Sequence, residues 1–188
     1  MKILVIAVLN LLFLVLPVLS TMESCQGSGC PQPEITARSC LDYLKKGFKS
    51  NGFYYIYNFH DNRFMTVYCD MTSEAGAAWT LIMSFSLNHE NMDEFNKKTL
   101  TDDAPVNERS PNWHLYRIST SQMNHMKSQS SHWRVTCSFP THGVDYTDYV
   151  RAEFEHFDVM TFTGHGVCKK VEYVNIRGHH CVQCTTKW

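Results

Sequence analysis

Apolar residues run almost unbroken from Ile3 to Val18, interrupted only by Asn10 and Pro17, and then give way to a polar stretch, Thr21 to Ala37, that holds Gly27, Gly29, Pro31 and Pro33. From Ser39 onward the pattern breaks into short periodic blocks. Leu41 and Leu44 lie three apart behind a capping Ser39 and ahead of Gly47, which predicts a short helix. Phe53–Tyr57, Phe64–Cys69 and Trp79–Leu87 are β-branched or aromatic runs separated by turn residues such as Asp61-Asn62, which predicts three closely spaced antiparallel strands. Alternation places Tyr54 and Ile56 on one face of the first strand and Phe53, Tyr55 and Tyr57 on the other. One set is expected to pack inward and the other to offer a contact surface. Trp79, Trp113 and Trp133 are further candidates for a sugar- or protein-binding face, against the plainer reading that they pack the core and the sheet.

Asn88 to Pro111 is rich in charge and poor in apolar residues, and reads as an exposed short helix followed by a loop. Ser119 to Lys127 reads as a helix with Met123 and Met126 on one face. Trp133–Phe139, Phe154–Phe162 and Lys169–Ile176 read as strands. The sum is an α+β chain with more strand than helix and no internal repeat.

The opening run changes the picture most. Lys2, the apolar core and Val18-Leu19-Ser20 have the order of a secretory signal peptide cleaved after Ser20. The rival is an uncleaved membrane anchor, but the run is short for a span and Pro17 breaks it near the cut. Residues 1–20 are therefore read as a signal peptide, 21–37 as a short Cys/Gly/Pro-containing leader and 38–188 as one domain. The expected product is secreted, extracellular and outside the membrane after cleavage.

The chain has 188 residues, 44% hydrophobic and 19% charged, with 17 basic and 18 acidic side chains. That balance excludes a disordered chain and a broad basic face for nucleic acid. Eight cysteines, at 25, 30, 40, 69, 137, 168, 181 and 184, all follow the signal and read as a disulfide framework in a secreted protein. Spacing does not fix their connectivity. Cys25 and Cys30 can close a small loop, belong to another cysteine-rich module or hold a second chain. No Asn-x-Ser/Thr glycosylation site is present.

The run Cys40-Leu41-Asp42-Tyr43-Leu44 through Ser50-Asn51-Gly52-Phe53-Tyr54 to Val67-Tyr68-Cys69-Asp70-Met71-Thr72 and Trp79-Thr80 resembles the start of a fibrinogen C-terminal-like domain. The resemblance implies a small antiparallel-sheet subdomain, then a larger strand-rich region that diverges after about residue 88, stapled by disulfides. It implies a Cys40–Cys69 bond, which would be worth about 3–4 kcal/mol in the chain-entropy model. It suggests Cys168–Cys181 as a second bond, leaving Cys137 and Cys184 for each other. The aspartate-rich calcium loop and tandem tryptophans of that family are not recognisable here.

Asn112–Ser119, Ser131–Cys137 and Val171–Cys181 resemble a cnidarian branch of the same family, similar to the uncharacterised skeletal organic matrix proteins of stony corals. That resemblance implies a structural or adhesive component of an extracellular matrix, the organic matrix of a calcified skeleton. Its expected partners are matrix proteins or glycans and a calcium carbonate surface. The abrupt end at Lys187-Trp188 leaves the completeness of the C-terminus open.

Chemistry-bearing clusters were weighed against plainer readings. His179-His180-Cys181-Val182-Gln183-Cys184, with His165 and Cys168, can be drawn as a zinc site or a redox pair, but disulfides are the better use of secreted thiols. Asp145, Asp148, Glu153, Glu155 and Asp158 are weak calcium candidates without an EF-hand pattern, against a solvated mixed-charge face. Neither Gly-x-Ser-x-Gly nor His-Glu-x-x-His occurs, so no cofactor and no catalytic residue is assigned, and a secreted hydrolase ranks below a lectin-type recognition protein.

Overall fold

The computed structural model describes residues 37–188 and the backbone course of residues 3–10. The cleavage site, most of the leader and Cys25 and Cys30 lie outside the described residues. In chain order the elements are β1 (Ile3–Asn10), α1 (Cys40–Lys45), β2 (Gly52–Asn58), β3 (Arg63–Asp70), β4 (Ala78–Ser86), α2 (Asp93–Asn96), β5 (Leu115–Arg117), α3 (Thr120–Lys127), β6 (His132–Thr136), α4 (Phe139–His142), β7 (Tyr149–Glu153), β8 (Cys168–Ile176) and β9 (His179–Lys187).

These strands join into one antiparallel sheet of nine, in the order β2-β3-β4-β1-β6-β7-β8-β9. The short β5 pairs with Met83–Phe85, residues whose other side is taken by β1, so it lies on the β3 side of β4. Local chemistry accounts for the helix starts. Ser39 accepts a hydrogen bond from the Asp42 N–H at the head of α1, and Ser119 and Gln122 form a reciprocal capping box at α3.

The main core gathers α1, the inner faces of β2 and β3, β4 and the Met123/Met126 face of α3. A smaller cluster of Trp133, Val150, Ala152, Phe157 and Val171 fills the second half. The buried Arg117 holds the charged 88–111 segment to the domain. Its guanidinium donates to the carbonyls of Glu94, Lys98, Thr99 and Asp102. Burial lowers the Arg117 pKa, and the nearby Asp102, Asp103 and Glu94 only partly oppose it.

Several elements differ from the sequence reading, among them β5, α4 and β7, which it did not anticipate. Phe154–Phe162 is a turn, not a strand. The Phe157 N–H bonds to the Glu153 carbonyl and the Asp158 carboxylate caps the Met160 N–H, so side-chain and turn bonds replace a ladder. The run β9, with polar residues on both faces, pairs along the full length of β8. The largest difference is β1. Ile3–Asn10 falls inside the expected signal peptide, yet it pairs with β4 on one side and β6 on the other. A run of apolar residues suits an interior strand of a sheet as well as a signal core.

Candidate contact face

β2 is an edge strand, paired only with β3 in the register Phe53↔Tyr68, Tyr55↔Thr66 and Tyr57↔Phe64. Its inner side is committed. Ile56 and Asn58 are buried, and the Tyr43 ring of α1 packs 4.7 Å from Tyr54 while its hydroxyl donates to the Tyr55 carbonyl. The opposite side turns outward. Phe53 is 58% exposed, Tyr55 65% and Phe64 54%, with Phe59 just beyond the strand at 57%.

Apart from Tyr55, these side chains fall into two groups of contacting rings on the same side of the strand pair. Phe53 contacts Tyr68 at 5.6 Å between centroids, Tyr57 contacts Phe64 at 5.1 Å, and Phe59 sits 4.7 Å from Tyr57. Such edge-to-face pairs fix ring positions across strands. From Tyr68 the row runs inward through Trp113, at 4.7 Å, and on to Phe139, 5.3 Å from Trp113. An open cleft of about 370 Å³ is lined by Phe64 and Thr66 together with Arg63, Met65, Arg109 and Gln122, and Arg63 lies 3.8 Å from both Asp61 and Glu108. The face thus offers flat rings beside two cations, a chemistry suited to sugar rings, aromatic side chains and acidic groups.

The inner end of the row meets a buried ion pair. Arg134 of β6 binds Asp70 of β3, with side-chain exposures of 2% and 3%. Its guanidinium lies 4.2 Å over the Trp79 ring of β4. Burial pushes the Asp70 carboxyl up, but the Arg134 charge and the hydrogen bonds from Ser73 and Arg134 together hold it below its ordinary value. Beside it, Arg151 of β7 binds Glu74 at 2.9 Å. Burial also pushes the neighbouring Tyr149 phenol up to about 12.

The predicted site residues fall as follows. Trp79 and Trp133 are fully buried and cannot line an exposed face, because each sits in a central strand covered on both sides. Trp113 is partly buried against the core. Cys40 and Cys69 are bonded, with Cα atoms 5.5 Å apart, tying α1 to β3. Cys181 is bonded to Cys184, in place of the suggested pairings with Cys168 and Cys137. Gln183 has a positive φ of 48° that kinks β9 between the two cysteines. Cys168 opposes Lys187 whereas Cys181 opposes Val174, which places them about 20 Å apart along the hairpin. Cys137 is separated from Cys184 by β7 and β8, roughly 14 Å of sheet.

The calcium candidates do not converge. Asp145 accepts from the Thr147 N–H, Asp148 from the Arg177 N–H, Glu153 pairs with His156, and Asp158 pairs with Lys127. Glu155 is exposed. Among the described residues, no three or more His, Cys, Asp or Glu side chains are grouped to hold a metal ion. The zinc drawing fails for the same reason, since its two closest thiols are a disulfide and His179 and His180 are exposed on β9. Sequence reasoning named Phe53, Tyr55 and Tyr57 but missed Phe64 and Tyr68, which register with Tyr57 and Phe53, and Phe59 just beyond the strand. The alternation of Phe64, Thr66 and Tyr68 is the signal that would have found two of the three.

Residues 36–104 match the family model of the fibrinogen beta and gamma chains, C-terminal globular domain. The fold is α+β with a fibrinogen C-terminal-like first part. The match contains α1, β2–β4, the Cys40–Cys69 bond and almost all of the aromatic face. Comparisons with curated proteins and with solved structures found no match. Fibrinogen C-terminal domains are generally binding domains without enzymatic activity and, like disulfide-bonded chains, are typical of extracellular proteins. Among the described residues no helix is long and apolar enough to cross a membrane.

Proposed function

We propose that the protein is a secreted structural or adhesive component of extracellular matrix, and that this matrix is the organic matrix of a calcified, coral-type skeleton. The observation that carries the adhesive part is the exposed aromatic face on β2 and β3. It sits on a strand pair whose other side is fixed by α1 and the Cys40–Cys69 bond. Exposed rings held rigid in this way are a poor use of surface unless something covers them. The skeletal part is supported by the resemblance of Asn112–Ser119, Ser131–Cys137 and Val171–Cys181 to skeletal matrix proteins.

A lectin-type recognition role is the second reading, favoured by the cleft that combines Arg63, Arg109 and Phe64. Source tissue separated into soluble secretions, soft matrix and mineral-occluded protein would decide between them, with the peptide Ser110–Arg117 followed by mass spectrometry. Enrichment in the mineral-occluded fraction supports the skeletal role, and recovery only in secretions overturns it. A Tyr55→Ser/Phe64→Ser variant should keep its stability and lose adhesion to extracted matrix. Undiminished adhesion would remove the aromatic face from the reading.

A further inference from the structure

We propose that the cleft between β3 and α3 is a binding subsite for an acidic sugar, a hexose ring that carries one carboxylate or sulfate group. The proposal rests on the lectin-type reading of that cleft and names its ligand class. The cleft exists because β3 and β4 diverge. They pair only at Cys69↔Thr80 and Asp70↔Trp79, and Met83–Phe85 of β4 pair with β5 instead. Arg63 to Val67 therefore have a neighbouring strand on the β2 side alone. The consecutive residues Phe64, Met65 and Thr66 all line the cleft. Side chains alternate between the two faces of a strand, so a space that touches all three lies along its free edge.

That edge presents backbone groups to the cleft. Tyr57 and Phe64 are register partners, but the Tyr57 N–H donates to the Ala37 carbonyl at 2.7 Å, on the far side of β2. The pair is therefore one without mutual ladder bonds. The Phe64 N–H and C=O point away from β2, and those of Thr66, two residues on, do the same. Gln122 of α3 lines the cleft as well and is only 2% exposed. Its side-chain oxygen accepts from the Ser119 N–H in the capping box. Its amide nitrogen has no acceptor among the described residues. A buried donor in that state calls for an acceptor from outside the fold.

The chemistry of the ligand follows from these groups. Arg63 lies 3.8 Å from both Asp61 and Glu108, so its charge is balanced within the fold. Arg109 is exposed, and its guanidinium has no ion pair or hydrogen bond among the described residues. The site thus offers one uncommitted cation, one buried amide donor and two backbone N–H groups, which match a single anionic group rich in acceptors. Asp61 and Glu108 stand against a second negative charge. Phe64, 54% exposed, gives the C–H side of a sugar ring an apolar face to lie on. The Phe64 and Thr66 carbonyls can accept from ring hydroxyls. A bare anion would leave the ring and the carbonyls unused, and a neutral sugar would leave Arg109 and Gln122 unmatched. The volume, about 370 Å³, is at the small end for ligand sites and suits one ring.

The test uses isotope-labelled protein produced from the full chain in secreting cells. It is titrated with methyl glucuronide, a glucose sulfate ester, methyl glucoside, N-acetylglucosamine and acetate, and read by amide chemical shifts. The expected result is saturable shifts at the Phe64 and Thr66 backbone amides and the Gln122 side-chain amide with at least one acidic sugar. The neutral sugars and acetate should bind about tenfold more weakly or worse. The uronide and the sulfate ester separate the two sources of the charge. Arg109→Gln, on the surface, should weaken binding by about tenfold with the melting temperature unchanged. Gln122→Glu keeps an acceptor for the capping box but sets a carboxylate where the donor was, and should abolish binding. If that variant does not fold, Arg109→Gln decides alone. Neutral sugars bound as tightly as acidic ones, or binding unchanged in Arg109→Gln, overturn the acidic-sugar subsite and leave the lectin-type reading standing. Acetate bound as tightly as the uronide overturns the sugar assignment. No shift with any of the sugars overturns the proposal, and the lectin-type reading falls with it only if an array of immobilised glycans also captures no protein.

Discussion

Replacing Arg134 by Met tests the central ion pair. Arg134 and Asp70 are both almost completely buried. One Asp70 oxygen already accepts from the Thr72 and Ser73 N–H groups at 3.2 and 3.1 Å. Its other oxygen faces the guanidinium and would be left without a donor. Breaking one side of a buried pair costs about 3–5 kcal/mol. At about 2–4 °C per kcal/mol for a chain of this size, the melting temperature should fall by roughly 6–20 °C. The pH dependence should also change sign. In the wild type the folded Asp70 pKa lies below the ordinary 3.8. The pair therefore contributes stability above that value and loses it as pH falls through the folded pKa. Without Arg134, burial, the largest influence, is opposed only by the hydrogen bonds from Ser73, and the folded pKa should rise above 3.8. The charged carboxylate then destabilises the neutral-pH protein, and the variant should gain stability, relative to wild type, as pH falls from 7 toward 4. Adding Asp70→Asn removes the stranded charge, so the double variant should be more stable at pH 7 than Arg134→Met alone, by about 1–3 kcal/mol. Urea unfolding followed by the buried Trp79 and Trp133 gives all these values. A single variant within about 1 kcal/mol of wild type at pH 7, or a double variant less stable than the single, would refute the reasoning.

Cys40→Ala/Cys69→Ala opens a loop spanning a sequence separation of 29, and should cost about 3–4 kcal/mol in denaturant unfolding while β8–β9 keeps its exchange protection. Arg117→Met leaves four carbonyl contacts unmade; hydrogen exchange should show residues 93–103 opening and a global loss of about 2–4 kcal/mol. Burial, then the Arg151 charge, depress the His132 pKa against the opposing pull of Glu172, Glu153 and Glu74. Because the unfolded His binds a proton first, this contribution is full above about pH 6.5 and is lost as pH falls toward the folded value. His132→Gln should flatten the stability profile in that window, as read by melting temperature from pH 7.5 to 5.

What the sequence made legible was mostly local. The helix at Cys40, the three strands after it and the outward set Phe53, Tyr55 and Tyr57 follow from caps, turns and alternation over a few residues. Fixing β2's outward face in turn fixes its partner's, and Phe64 and Tyr68 extend the contact face through register alone. The Arg134–Asp70 pair spans 64 residues of sequence, and no short-range rule pairs one arginine among 17 basic residues with one aspartate among 18 acidic ones. The same limit misplaced the cysteines. The positive φ at Gln183 that brings Cys181 to Cys184 belongs to the β8–β9 hairpin, and the resemblance-based spacing carried no information about it. The opening run exposes the deepest ambiguity. A secretion signal and an interior strand of a sheet both draw on a run of apolar residues, and the seven from Ile3 to Leu9 suit either. Only topology separates them. Among the described residues β4 and β6 meet through that strand alone, so whether it stays in the chain decides how the two halves of the sheet are joined.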